Sequence, residues 1–284
     1  MSPEGIPVQK SVEEQANAQE NASEILFDRL SNPIIRKQII DLIEQSEIWR
    51  KENKVFYNEA IKLPDGTWKK DANGEMVFDK IPYTVRSREE IEAEYDKTLD
   101  RIKRLTDISF NSREPFGGSS EDVETINLNW KLPAGDKPSS KQLSVIEAHE
   151  KGHSIRSYDN DFFREYFSGA FDKKLVEYTD EQHEYTVAKH KEHGEDGNEP
   201  IDYNELKEGF HNYILSGTEI AERMSQLKNY FGFRRDEQFT LEHLKYAKEH
   251  YVQDVGFDNM SVLLNAVTPE TEGEFIRLIN CSGI

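Results

Sequence analysis

Apolar residues along this chain recur in two rhythms, one of three to four positions and one of two. Asn32 followed by Pro33 reads as a helix start, with an amide to cap free N–H groups and proline at the first helical position. Ile35, Ile39, Leu42 and Ile43 then recur at helical spacing toward Trp49. Beyond it the extended runs VFYNEAIKL, TWKK and MVFDKI are separated by Asp65-Gly66 and Asn73-Gly74, tight-turn signals that predict a small antiparallel sheet. Ser87 with Glu90 three residues on is a capping box, and it opens a helix whose Ile91, Tyr95, Ile102 and Leu105 face a core. Residues 23–110 thus read as a helical and hairpin N-terminal region.

From Val123 to Leu132 the period is two: Ile126, Leu128, Trp130 and Leu132 alternate with Thr125, Asn127, Asn129 and Lys131, which predicts a strand with one buried face. Pro133 and Pro138 close it. Ser139 with Gln142 then caps a helix in which Val145, Ala148, Gly152 and Ile155 form the inward stripe. Asp202 with Glu205 opens a helix through Leu206, Phe210 and Ile214. Ser216 with Glu219 opens another, packed through Ile220, Met224 and Leu227 and stopped by Gly232. Leu241, Leu244, Ala247 and Tyr251, then Met260 to Val267 and Phe275 to Ile279, extend a mainly helical C-terminal half. Residues 1–22 hold too little apolar surface to offset the entropy of ordering and read as a flexible tail. The acidic stretch 177–199, ending in HGEDGNEP, reads as an exposed, mobile excursion.

Composition narrows the classes of function. The 284 residues carry 36 Lys and Arg against 55 Asp and Glu, a net charge of -19. That balance argues against binding to nucleic acid or to an anionic membrane, both of which rest on lysine and arginine. No apolar run approaches the roughly 18 residues of a membrane span, and MSPEGIPVQKSVEEQ lacks the basic and apolar segments of a signal peptide. The expectation is a cytoplasmic or otherwise intracellular protein. Cys281 is the one cysteine, so any metal site must be built from histidine and carboxylate.

Such residues occur together after Ser139. His149 and His153 are four apart, so on a helix they stand one turn above each other and converge on one ion. Glu150 is rotated by about 100° from His149, within reach of a water on that ion rather than of the ion itself. The string His149-Glu150-Lys151-Gly152-His153 is HExxH, in which imidazoles hold zinc and the carboxylate takes a proton from the attacking water. Gly152 costs a helix about 1 kcal/mol relative to alanine and points to close packing against another backbone. Catalytic zinc takes a third protein ligand. Glu219, in the first turn of a later helix, is the leading candidate, and Glu222, Asp159, Glu177, Glu181 and His211 are alternatives. His183, His190 and His193 differ in helical phase, with lysines between them, and do not make a second site.

On these residues the chain resembles the HExxH zinc metallopeptidases (zincins), in the gluzincin-like branch whose third ligand is a glutamate on a later helix. It departs from the metzincin pattern, which needs a histidine where Asp159 stands. The resemblance implies Zn2+ held by His149, His153 and Glu219, with Glu150 activating a metal-bound water to hydrolyse peptide bonds. Arg223, one turn beyond Glu219, could orient a carboxylate behind the ligands or simply meet solvent. For fold it implies an α+β, zincin-like catalytic region over 111–284, with a small mixed or antiparallel sheet and a mainly helical C-terminal half. The strand Ile126 to Trp130 would then be a sheet edge above the motif helix, pairing with a peptide or protein substrate in extended form. Asn127 and Asn129 would face that cleft, or simply solvent. An oxyanion donor is also implied, from among His211, Tyr213, His243, Tyr246 and His250, with His211 and Tyr213 preferred for their position just before the Glu219 helix. Two other classes compete: an inactive zincin-fold module for protein binding or structure, and a zinc hydrolase of a non-peptide amide or a narrow-specificity effector.

Overall fold

The helix that opens at Asn32 begins as its sequence dictates: Asn32 Oδ1 accepts the N–H groups of Ile34 and Ile35, and Pro33 occupies the first turn. The computed structural model describes residues 11–17, 21–53, 56–104, 107–110, 118–119, 125–128, 140–193, 213–255, 260–281 and 283–284. Over these the chain is mostly helical. The helices are α1 (Val12–Ala16), α2 (Ala22–Leu30), α3 (Pro33–Glu52), α4 (Arg88–Arg104), α5 (Ser140–His153), α6 (Asn160–Phe167), α7 (Ala170–His193), α8 (Gly217–Tyr230), α9 (Leu241–Val255), α10 (Met260–Ala266) and α11 (Glu272–Cys281). The strands are β1 (Phe56–Ala60), β2 (Phe78–Pro82), β3 (Asp107–Phe110), β4 (Gly118–Ser119) and β5 (Thr125–Leu128).

The predicted front helices and hairpin are present. Ser87 Oγ accepts from the Glu90 backbone while the Glu90 carboxylate accepts from the Ser87 N–H, and Ile91, Tyr95 and Ile102 are buried along α4. Leu105 lies outside the described residues. β1 and β2 pair antiparallel, with Gly66 and Gly74 at φ 87° and 89° turning the chain between them, a conformation glycine adopts without strain.

At the centre of the molecule is α8. Every residue of it except Thr218 is buried, including Glu219, Glu222, Arg223, Ser225, Gln226, Lys228 and Asn229. Ile220, Met224 and Leu227 lie in the core as the stripe predicts, and Gly232 at φ 74° ends the helix as the Phe233 N–H returns to the Lys228 carbonyl. Arg29, from α2, reaches across to this helix. Its guanidinium donates to the carbonyls of Phe233 and Ser225, to Ser225 Oγ and to Asn229 Oδ1. Helix α5 packs along α8, and α2 packs on both.

Three expectations are corrected. Part of the flexible tail is ordered: Ser11 and Glu14 form a capping box, α1 packs on α9, and Ala16 is fully buried, so a few apolar contacts offset the ordering of this polar segment. Residues 1–10 and 18–20 lie outside the described residues. The acidic excursion is instead helical over 177–193, the greater part of α7. Thr179 and His183 are buried and Tyr178 accepts from Asn265 of α10, because the acidic residues take the outer face of a helix whose inner face packs. Residues 194–199 lie outside the described residues.

The third correction concerns the predicted edge strand. β5 lies between β3, parallel to it, and β4, antiparallel to it. The sheet is mixed, as one of the expected forms has it, and lies beside α5, but β5 is its centre. Asn127 pairs with Ser109 on one side and Gly118 on the other, and Ile126 likewise with Ile108 and Ser119, so at these two residues both sides of the strand are already paired. Asn129 and Trp130 lie outside the described residues.

Lys228 supplies a test of the polar interior. Its Nζ donates to the Ile284 carbonyl at 2.7 Å, and burial, reinforced by Arg29 and Arg156, pushes its amine down to about 7. Between that value and the ordinary 10.5, the unfolded chain binds a proton that the folded chain does not, so this group makes stability rise with pH across the window. Lys228→Met is expected to flatten that rise in urea midpoints measured from about pH 7 to about pH 9.5. A slope equal to wild type would contradict a buried, largely neutral amine.

Candidate metal centre

Helix periodicity brings the two histidines of α5 together as the four-residue spacing requires. His149 Nε2 and His153 Nε2 are 3.1 Å apart. Facing them, from the first turn of α8, is Glu219. Its Oε1 lies 3.1 Å from His153 Nε2 and its Oε2 lies 3.5 Å from His149 Nε2. Among the described residues these three form the group of histidine and carboxylate side chains close enough to share an ion.

The local chemistry of α8 explains how Glu219 reaches them. Ser216 Oγ caps the helix by accepting from the Glu219 N–H at 3.2 Å. The Ser216 N–H, which a reciprocal capping box would give to the Glu219 carboxylate, bonds instead to the Tyr213 carbonyl. The sequence signal is therefore half used as a cap, and the carboxylate is left to turn inward. Arg223 Nη2, one turn along, donates to Glu219 Oε2 at 2.7 Å and fixes its orientation. Of the two readings of Arg223, the structure has the buried one.

Electrostatics favour a charged carboxylate here. Burial opposes the ionised form of Glu219, but the hydrogen bonds from His149 and His153 and the Arg223 charge outweigh it and hold the carboxyl far below its usual range. Burial would lower the His153 pKa, while its hydrogen bond to Glu219 and the negative charges of Glu222, Glu219 and Glu150 raise it. His149 Nδ1 is buried with no hydrogen-bond partner among the described residues.

The remaining candidates separate by what they touch. Glu150 is buried beside His149, near enough to His153 and Tyr213 for its charge to act on both. Tyr213 lies with its ring 5.5 Å from the Arg223 guanidinium carbon. Burial pushes its phenol up, Glu219 and Glu150 add to the effect, and Arg223 opposes it. His211 lies outside the described residues. His243 is not free to serve as a donor. Its Nδ1 meets Thr240 at the start of α9, its Nε2 meets Gln15 Oε1 at 2.9 Å, and its ring packs on Phe231 and Phe233. Tyr246 and His250 pack against each other on α9, their rings tilted by 38° with centroids 4.3 Å apart.

Among the alternative third ligands, Asp159 caps α6 and pairs with Arg50, while Glu177 pairs with Lys174 on the surface. Glu181 is exposed on α7. Glu222 points to a fully buried pair with Arg156. Arg156 is the residue that sequence reasoning missed. Its signal was a cation directly after the apolar stripe of α5, matched by two glutamates three apart on α8.

Gly152 is explained by the same pair. A Cβ there would lie 1.9 Å from Glu222 Oε2, so the neighbour that requires glycine is a side chain rather than the expected backbone. Gly152→Ala is therefore expected to lower stability by about 1–3 kcal/mol despite alanine's better helix propensity. Urea unfolding measures this, and a stabilised variant would contradict the close contact. Comparison with protein families, curated proteins and solved structures finds no match to this chain.

Proposed function

We propose that this protein is a zinc-dependent hydrolase of peptide bonds, with a zincin-like site in which His149, His153 and Glu219 hold the metal and Glu150 is the general base. The observation that carries this reading is the convergence of the two Nε2 atoms and both carboxylate oxygens of Glu219. The imidazole nitrogens are 3.1 Å apart, Glu219 Oε1 is 3.1 Å from His153 and Oε2 is 3.5 Å from His149, separations close to the edge of about 3.4 Å that a tetrahedron with zinc–ligand bonds near 2.1 Å requires. Two imidazoles and a carboxylate are also the donor set that suits zinc at a hydrolytic centre. Zinc, when bound, polarises a carbonyl and eases ionisation of water.

The chain's own groups supply the rest. Glu150 is buried next to His149 in sequence and close enough for its charge to act on His153 and Tyr213, which suits it to accept a proton from the attacking water and pass it to the leaving amine. Arg223 keeps Glu219 oriented and charged. Tyr213, beside Arg223 and protonated at neutral pH, supplies an O–H near the charge that develops on the carbonyl oxygen. A second reading has a specific observation in its favour. Because β5 is paired with β3 along its length and with β4 at Ile126 and Asn127, a substrate amide presented without strand pairing, including a non-peptide amide, suits the site better than a peptide aligned on that strand.

Wild type is expected to retain zinc at one ion per chain, His149→Ala to lose it, and Glu150→Gln to keep it while losing cleavage of a peptide library by about 10²–10⁴-fold. Metal analysis after dialysis and mass spectrometry of the digested library read these outcomes. Zinc retention without cleavage of peptides or small amides by wild type would favour an inactive binding module instead.

A further inference from the structure

We infer that the buried Glu222–Arg156 pair is a positioning element that sets the metal affinity of the site by locking the glutamate-bearing helix to the histidine-bearing one. The inference rests on the zinc reading of His149, His153 and Glu219 and extends it to residues that touch no ligand atom.

Glu222 is three residues after Glu219 on α8, and Arg156 is three residues after His153, just past the end of α5. Each partner thus follows a proposed ligand by three residues, Glu222 on the same helix and Arg156 beyond the helix end, and Arg156 Nη1 donates to Glu222 Oε1 with both side chains fully buried. The other carboxylate oxygen, Oε2, lies against Gly152, between the two histidines, where it accepts no hydrogen bond among the described residues. Arg156 Nη2 lies 3.4 Å from the Gly283 carbonyl, so the guanidinium is held from a second side. Two contacts therefore hold this carboxylate, the ion pair with Arg156 and the close approach to Gly152, and its own side chain ties both to the helix that carries Glu219. A shift of Glu222 would move α8 relative to Gly152 and change the distance from Glu219 to both imidazoles. Metal affinity is sensitive to such outer contacts by about 10–100-fold.

Folding and positioning are separable. Removing one partner of a buried pair strands the other charge, whereas replacing both by apolar residues of similar volume is often neutral for stability. The test is the double variant Arg156→Met with Glu222→Leu, in the full chain, with zinc affinity measured by competition against a chromophoric chelator and stability by urea unfolding of the metal-free protein. The expected result is a folded protein whose zinc affinity is about 10–100-fold weaker than wild type. Gly152→Ala reaches the same carboxylate by sterics alone, deletes no charge, and is expected to weaken zinc binding by about tenfold in its folded fraction. Wild-type affinity in either folded variant would overturn the inference. A wild-type chain that binds no zinc would overturn the metal site itself, and the inference with it.

Discussion

A charge placed inside a protein stays there only if another group meets it, and α8 places several inside at once. Glu219, Glu222 and Arg223 are all buried on this helix, with the Lys228 amine beside them, and Arg29 and Arg156 are brought to it from elsewhere in the chain. Burial, with the nearby charge of Arg156, pushes the Arg29 guanidinium down to about 9 even though it donates to four oxygens. Such groups cannot be repacked freely, as leucines can. Each one specifies a partner, and the partners come from α2, from the segment after α5 and from the last residues of the chain. The polar side chains of α8 therefore dictate which segments meet there, while Ile220, Met224 and Leu227 supply apolar burial.

The candidate site follows from that arrangement. A helix that is buried on all sides brings the carboxylate in its first turn into the interior, next to whatever packs there. What packs there is α5, with His149 and His153 one turn apart. Arg223 holds Glu219 from its own helix, and the Glu222–Arg156 pair holds the two helices together one turn away. The close approach is possible only because Gly152 has no side chain where the Glu222 carboxylate lies. A residue unfavourable to an isolated helix is thus required by the pairing of two helices, a case in which tertiary packing outweighs propensity.

Much of this was legible in the sequence because it is local. The caps at Asn32, Ser87 and Ser216, the turns at Gly66 and Gly74, and the stop at Gly232 each depend on a few neighbouring residues, and each is found where its signal lies. HExxH is local in the same sense. Glu219 was reachable because the capping-box spacing that places it in a first turn is local, although that box is only half formed. The Ser11–Glu14 cap of α1 was a local signal passed over in a polar tail, whereas the misreadings of α7, β5 and Arg156 are non-local. The charge on α7 reads as a solvated loop until α10 covers its inner face. The alternation in β5 is the same for an edge or a central strand, and only the pairing of β3 and β4 decides between them. Arg156 and Glu222 lie 66 positions apart in sequence, and no periodicity connects them.

The central claim is that these two distant helices build one zinc centre. Its most direct test is a crystal of the full chain grown with zinc and measured on both sides of the zinc absorption edge. One anomalous peak is expected within about 2.0–2.2 Å of His149 Nε2, His153 Nε2 and a Glu219 oxygen. A peak bound elsewhere, or histidines turned away from each other with Glu219 engaged only by Arg223, would contradict it.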